Sequence, residues 1–457
     1  MILIGNGTVI TRNQDGRVIP QGAVVSDGAL ICDIGDTASM KKKYRDAEWV
    51  DAKGGVIMPG LINLHDHAYS AFARGMSIDG YVPKDFCGIL EGMWWKMDRA
   101  MNNRDTYYSG LVTWMECIRN GVTTVFDHHA SYGEVGGSLF ELSRAADLVG
   151  LRTCLCYEVS DRDGKEKAKA AIRENAEYLK YTGQQKEDFR CAMMGMHASF
   201  TLSDQTLSAC LEAVGDGCGC HIHVAEGLYD ARHCRKNYGK SIVSRLQEFG
   251  VLGEKTIAAH CIHIDPEDEA RLKETDTMVV HNPQSNMGNA VGCADIPGLA
   301  GLGTALGIGT DGYTQDMLES GKASQLLIKH NTENPAEGWG EATNMLFAGN
   351  RELAGRYFKT PLGVLQPGAA ADVIVLDYHP YTPLNENNTD GHLLFGTNGH
   401  SVVTTMAAGK IRMRDRILVD LDEVKLLAEA RSQAQDLWKR VNAGGISPFA
   451  ESKFKMG

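Results

Sequence analysis

Apolar and polar positions divide the chain into two regimes. At both ends the apolar runs are short and separated by turn residues, the pattern of β-structure. Residues 1–55 contain Ala23-Val24-Val25-Ser26, then Asp27-Gly28, then Ala29-Leu30-Ile31-Cys32, which predicts a hairpin around an Asp-Gly turn. The C-terminal counterpart is a strand over 371–376 and a second hairpin, in which 402–406 returns through Ala408-Gly409-Lys410 into 411–413. Neither piece is large enough to bury a core alone. The two are expected to pack together as one small discontinuous β-sandwich domain of residues 1–55 and 361–420. Residues 421–457 then form a C-terminal helix and tail; Val424, Leu427, Ala428, Leu437, Trp438 and Val441 lie near helical spacing.

Between these ends, over 56–360, short apolar runs alternate with longer helical stretches. That alternation predicts a parallel sheet with crossover helices. Eight strands are expected, over 56–64, 122–126, 153–158, 191–196, 220–224, 256–261, 278–281 and 306–309. The fold class is therefore α/β, a (β/α)8 TIM barrel carrying the small β-domain. Such barrels place their active sites at the C-terminal ends of the strands. His65 and His67 end the first strand, His197 the fourth, His223 the fifth and His281 the seventh; His260 lies in the sixth and Asp311 follows the eighth. Imidazole and carboxylate converging on one mouth are the donors borderline divalent metals prefer. In a strand, residues i and i+2 share a face, so His65 and His67 reach one metal together while Asp66 points elsewhere. His221 shares a face with His223 but sits one layer deeper and reads as a hydrogen-bonded interior histidine. His128, His129 and His263 receive no specific role.

Bulk properties narrow the function. The chain has 457 residues, 43% of them hydrophobic, and a net charge of −12. An acidic chain is a poor partner for a nucleic-acid backbone. No apolar run approaches the roughly 20 residues needed to span a bilayer. The N-terminus lacks the basic and apolar regions of a signal peptide. Twelve scattered cysteines show no disulfide framework; Cys218 and Cys220 read as small buried strand residues. A cytoplasmic enzyme with reduced thiols and a small-molecule partner is expected, with homo-oligomerisation left open.

The motifs resemble a known family. Pro59-Gly60-Leu61-Ile62-Asn63-Leu64-His65-Asp66-His67, His223-Val224-Ala225-Glu226, Ala259-His260-Cys261-Ile262-His263, His281-Asn282-Pro283-Gln284-Ser285-Asn286 and Gly309-Thr310-Asp311-Gly312 are similar, in order, to the motifs of the amidohydrolase superfamily. Within it the chain resembles the branch of cytosine and guanine deaminases and triazine hydrolases, and the SsnA-type aminohydrolases most. The resemblance implies one divalent metal ion per chain, zinc or iron(II), held by His65, His67, His223 and Asp311. It implies catalytic roles for Glu226, His260 and Asp311, and a substrate contact at His197. Ser199 stands where the family usually has proline. No lysine occurs in strands three or four, which favours one metal over two.

The chemistry follows. Metal-activated hydroxide attacks a ring carbon bearing an amino group, and Asp311 takes the water's proton. Glu226 protonates the ring nitrogen and His260 polarises the forming carbonyl. Trp95, and His281 at strand seven, are expected beside His197 in the substrate pocket. The expected substrate is a flat, amino-bearing nitrogen heterocycle of the purine-like class. Ring-opening hydrolysis of a cyclic amide is the alternative within the fold. A non-catalytic metal-binding accessory protein in selenium or purine cofactor metabolism is the alternative outside enzymology.

Overall fold

The computed structural model describes residues 1–185, 188–215 and 217–443; the tail expected beyond the C-terminal helix lies outside the described residues. Five strands open the chain: β1 (Ile2–Ile10), β2 (Val18–Asp27), β3 (Leu30–Asp36), β4 (Glu48–Asp51) and β5 (Val56–Pro59). Nine follow: β6 (Leu61–Asp66), β7 (Val122–His129), β8 (Arg152–Tyr157), β9 (Arg190–Ala192), β10 (Met194–Ala198), β11 (Cys220–Val224), β12 (Ile257–His260), β13 (Met278–His281) and β14 (Leu306–Ile308). Four more, β15 (Val373–Leu376), β16 (Val402–Ala407), β17 (Lys410–Arg414) and β18 (Ile417–Leu418), complete the set.

The first five strands and the last four share one sheet, ordered β18-β17-β16-β15-β5-β1-β2-β3 with β4 beside β1. The two chain ends meet where β5 and β15 run antiparallel, Val56 opposite Leu376 and Pro59 opposite Val373. Strand periodicity sorts the side chains at this junction. Ile57, Val373 and Val375 join Ile4, Val24 and Leu365 in a local core. Val56, Met58, Ile374 and Leu376 face the other way, into the main core with Trp114 and Ile118. The Asp27-Gly28 turn lies where the hairpin needs it, with Gly28 left-handed at φ 57°.

The parallel strands form two sheets, β6-β7-β8-β9 and β10-β11-β12-β13-β14. Their edges touch at two seams. At one, Asp66 and Asp311 form a parallel bridge, and the amides of Thr310 and Asp311 both donate to His65 O, at 3.0 and 2.9 Å. At the other, Val159 bridges Met196.

Two expected strands are each split. Residues 56–64 divide at Pro59-Gly60: β5 belongs to the nine-stranded sheet and β6 to a parallel one. Proline lacks an amide hydrogen, Gly60 donates to Asp372 O at 2.9 Å, and a Cβ on Gly60 would come within 2.3 Å of Thr123 Oγ1. The chain therefore changes sheets there. Residues 191–196 divide likewise, β9 pairing with β8 and β10 with β11.

The C-terminal helix, Glu423–Ala443, lies against the helix Asn103–Arg119. Gln433 Nε2 donates to Asp105 Oδ1 at 2.6 Å, and Trp438 Nε1 to Phe72 O at 2.7 Å. The second bond ties the helix to the turn Ala68–Ala73 that directly follows His67. No described helix is long and apolar enough to cross a membrane.

A buried ion pair, Arg152 with Asp372, joins β8 to the residue preceding β15. Asp372 also accepts from the Ala408 amide at 2.7 Å. Removing one partner strands the other charge in the interior. Asp372→Ala is expected to cost about 3–5 kcal/mol, read as a lower denaturation midpoint. The double variant Arg152→Met/Asp372→Leu is expected to recover most of that loss.

Candidate metal centre and its cavity

His65 is the penultimate residue of β6 and His67 directly follows that strand. Asp66, between them, points away and accepts from Gln315 Nε2 at 2.9 Å. His65 Nδ1 meets His221 Nε2 at 2.8 Å, which gives His221 the interior hydrogen-bonding position expected of it. His65 Nε2 is left buried without a hydrogen-bond partner among the described residues.

Two neighbouring carbonyls fix the tautomers of the next two ligand candidates. His67 Nδ1 donates to His128 O at 2.5 Å, and His223 Nδ1 donates to His197 O at 2.9 Å. Carbonyl oxygens only accept, so both imidazoles carry their proton on Nδ1 and present a bare lone pair at Nε2. Those two Nε2 atoms lie 3.1 Å apart. Asp311 Oδ1 lies 3.2 Å from His67 Nε2. Three acceptor atoms facing one another repel unless a cation lies between them. Tetrahedral zinc with bonds of about 2.0–2.1 Å places its ligand atoms about 3.3 Å apart. The donor set therefore fits a single borderline divalent ion. His65, His67, His128 and His223 form one group able to hold it, and His65, His260 and Asp311 an overlapping one.

Electrostatics agree with that use. Burial and the neighbouring His67 hold His65 well below its usual pKa; burial and His65 do the same to His223. Both rings are neutral, as ligands must be. Burial alone would raise Asp311, but His67, His260 and the bond from Ser285 outweigh it and hold the carboxylate below its usual range. Ser285 Oγ donates to Asp311 Oδ2 at 2.6 Å.

His260 donates from Nδ1 to Asn286 Oδ1 at 2.8 Å. Its Nε2 is buried without a hydrogen-bond partner and lies 3.6 Å from both Glu226 Oε2 and Asp311 Oδ2. Glu226 Oε1 accepts from Asn289 Nδ2 at 3.3 Å. Burial, then the charge of Asp311, lifts the Glu226 carboxyl well above the ordinary range. Four non-glycine residues here are left-handed: Ala225 (φ 48°), His260 (73°), Cys261 (50°) and Asp311 (54°). Such conformations cost about 1–2 kcal/mol each. Ala225 turns the chain between His223 and Glu226, so the carboxyl comes back over the same mouth.

These groups floor a cavity of about 340 Å³, to which His67, Glu158, His197, His223, Glu226 and Asp311 contribute. Trp95 lines it too, its ring 5.9 Å from that of His197. His281 does not. It is fully buried at the end of β13, with neither ring nitrogen hydrogen-bonded among the described residues. Ser199 opens a short turn, Ser199–Thr201. The buried Arg245 holds it by donating to Ser199 O at 3.0 Å and Oγ at 2.9 Å. His263 is half-buried and outside the cavity lining.

Two residues without an expected role belong here. His128 stacks on His221 at a centroid distance of 4.5 Å. Glu158 follows β8 and lines the cavity wall. Both sit at strand ends, the signal that picked out the other site residues.

The pattern of the amidohydrolase family matches residues 56–412. The chain belongs to the amidohydrolase family. A 5'-deoxyadenosine deaminase of Methanosarcina mazei is 32% identical over 451 residues, covering 97% of this chain and 99% of that protein. A 5-methylthioadenosine/S-adenosylhomocysteine deaminase of Pelotomaculum thermopropionicum is 31% identical over 96% of this chain and 99% of its own length. The zinc-bound crystal structure of an adenosine deaminase from Xanthomonas campestris superposes with a TM-score of 0.84 at 20% identity, covering 95% of this chain and 98% of that one. Its likeness places this amidohydrolase in the same fold.

Elemental analysis of the purified amidohydrolase is expected to give one divalent metal per chain. His223→Ala should lose it and His128→Asn should keep it. Two metals per chain, or loss on substituting His128, would break the donor set described above.

Proposed function

We propose that this protein is a metal-dependent hydrolytic deaminase of an amino-substituted, purine-like heterocycle. In this reading the two parallel sheets form one (β/α)8 barrel, closed at the seams Asp66–Asp311 and Val159–Met196. Residues 1–55 and 361–420 form the discontinuous β-domain, with 421–457 as the C-terminal helix and tail. The observation that carries the function is the placement of the Glu226 carboxyl, 3.6 Å from His260 Nε2, over the same cavity floor as the converging Nε2 atoms. The named activities of the two relatives support it, since both remove an amino group from an adenosine derivative.

His65, His67, His223 and Asp311 would hold the metal, zinc or iron(II). Such an ion acidifies water, lowering its pKa from 15.7 to about 7. Asp311 accepts the proton that the attacking water gives up. Glu226 protonates the ring nitrogen beside the amino-bearing carbon as that carbon becomes tetrahedral. His260, its proton on Nδ1, presents Nε2 as an acceptor to the hydroxyl added there. Glu226 then relays the proton of the added hydroxyl to the amino group, the C–N bond breaks, ammonia leaves a ring carbonyl behind, and the proton held by Asp311 restores Glu226. One water is consumed per ammonia released. The aromatic wall at Trp95 suits a flat ring.

Incubation with a panel of aminopurines, pterins and triazines is expected to release ammonia with a shift in the ring's ultraviolet absorbance. Loss of the chromophore without ammonia marks ring opening instead, and no change with any compound rejects an enzyme of this kind. Glu226→Gln is expected to keep its metal and lose about 10²–10⁴-fold in kcat. Near-normal turnover by that variant would remove Glu226 from the proton path.

A further inference from the structure

Glu158 has no part in the chemistry proposed above, yet its placement is costly. The side chain is only 5% exposed. Oε1 is buried without a hydrogen-bond partner among the described residues. Its nearest ring nitrogens are His67 Nδ1 at 3.4 Å, whose proton already goes to His128 O, and His128 Nδ1 at 3.6 Å. Oε2 lies 4.0 Å from His197 Nε2. Arg162, the cation nearby, is paired with the buried Asp98. A buried carboxyl with a bare oxygen in this position is short of a hydrogen-bond partner, and the cavity is the open side from which one can come.

His197 has the same need. Thr201 donates its hydroxyl proton to Ala198 O at 3.0 Å, so it accepts from His197 Nδ1 at 2.8 Å. His197 Nε2 is therefore an acceptor as well. Glu158 and His197 both line the cavity, on the side of β8 and β10. Glu226 lines it farther round the mouth, past β11 and next to His260 and Asn289. A ring held over the floor with one nitrogen at Glu226 thus turns its other edge to a pair of acceptors.

We infer that Glu158, with His197, is a specificity-determining pair that recognises a ring N–H beside the amino-bearing carbon. This rests on the deaminase reading and narrows its substrate class. The favoured substrates are rings whose amino carbon lies between a bare nitrogen and an N–H, as in 2-amino lactams of the guanine and pterin type. In 6-aminopurines that carbon is flanked by one nitrogen and one carbon, and the acceptor pair has nothing to receive. This sets the chain apart from the relatives named for adenosine derivatives. A site built around a substrate N–H rejects analogues that lack it, because its own buried groups are then left unpaired.

The test uses guanine, 1-methylguanine and adenine, with binding read by tryptophan fluorescence. Metal-loaded Glu226→Gln protein serves as parent, so that turnover does not interfere. The expected result is at least a tenfold preference for guanine over both others. Adding Glu158→Leu should reduce that preference to threefold or less with metal content unchanged. Adding Glu158→Gln, which keeps an acceptor oxygen, should preserve most of it. An unchanged preference in the leucine variant overturns the inference, as does loss of metal on replacing Glu158. If the leucine variant does not fold, the parent decides: absence of a guanine preference there overturns the inference equally. A preserved binding preference without ammonia release from wild-type protein would reject the deaminase reading while leaving the recognition pair standing.

Discussion

The centre depends on two hydrogen bonds that point away from it. His67 and His223 each give their only proton to a carbonyl on an adjacent strand, His128 O on β7 and His197 O on β10. Those bonds set the ring orientation and force the two lone pairs together at 3.1 Å. Strand register therefore determines ligand geometry. In a parallel sheet a one-residue slip reverses the facing of every side chain, and it would also replace the carbonyls that orient these rings. A third bond, ring to ring between His65 Nδ1 and His221 Nε2 at 2.8 Å, anchors the third imidazole from the layer below.

Around that constraint the backbone accepts conformations it avoids elsewhere. Ala225, His260 and Asp311 are left-handed although none is glycine. Each lies where a strand ends and a side chain has to be turned onto the common mouth. Strain of this type persists where the surroundings over-determine it. Here the surroundings include the Ser285 bond to Asp311 and the Asn286 bond to His260, both from the helix Pro283–Gly288. The helix Glu423–Ala443 acts at greater distance, gripping Phe72 O through Trp438 and so bracing the turn after His67.

Much of this was legible in the sequence because strand ends are a one-dimensional signal. His65, His67, His197, His223, Glu226 and Asp311 are marked by position and motif; the structure brings all but His65 to one cavity and groups His65 with His67 and His223 as ligand candidates. The β-pieces at both ends were legible from turn residues such as Asp27-Gly28. Three things were not. The split at Pro59-Gly60 depends on which sheet each half pairs with, a long-range choice made by Asp372 and Thr123. His281 ends a strand like the others, but whether such a residue reaches the wall depends on which face of the strand it occupies. Glu158 and His128 share the strand-end position but carry no motif, and what sets them apart is hydrogen bonds they fail to make among the described residues, which no sequence pattern records.

The junction of β5 with β15 bears on how the protein is made. Pro59 and Val373 are sheet partners separated by most of the chain. At ~5–20 residues per second, a ribosome needs roughly 15–60 s to travel between them. Throughout that interval β1, β2 and β3 can associate, but the β5 edge stays unpaired and its four residues, all buried in the finished protein, stay exposed. An open apolar edge is a template for wrong partners. Synthesis rate, and whatever shelters the nascent chain, thus bear directly on the yield of this protein, through a strand that touches no ligand and takes no part in the reaction.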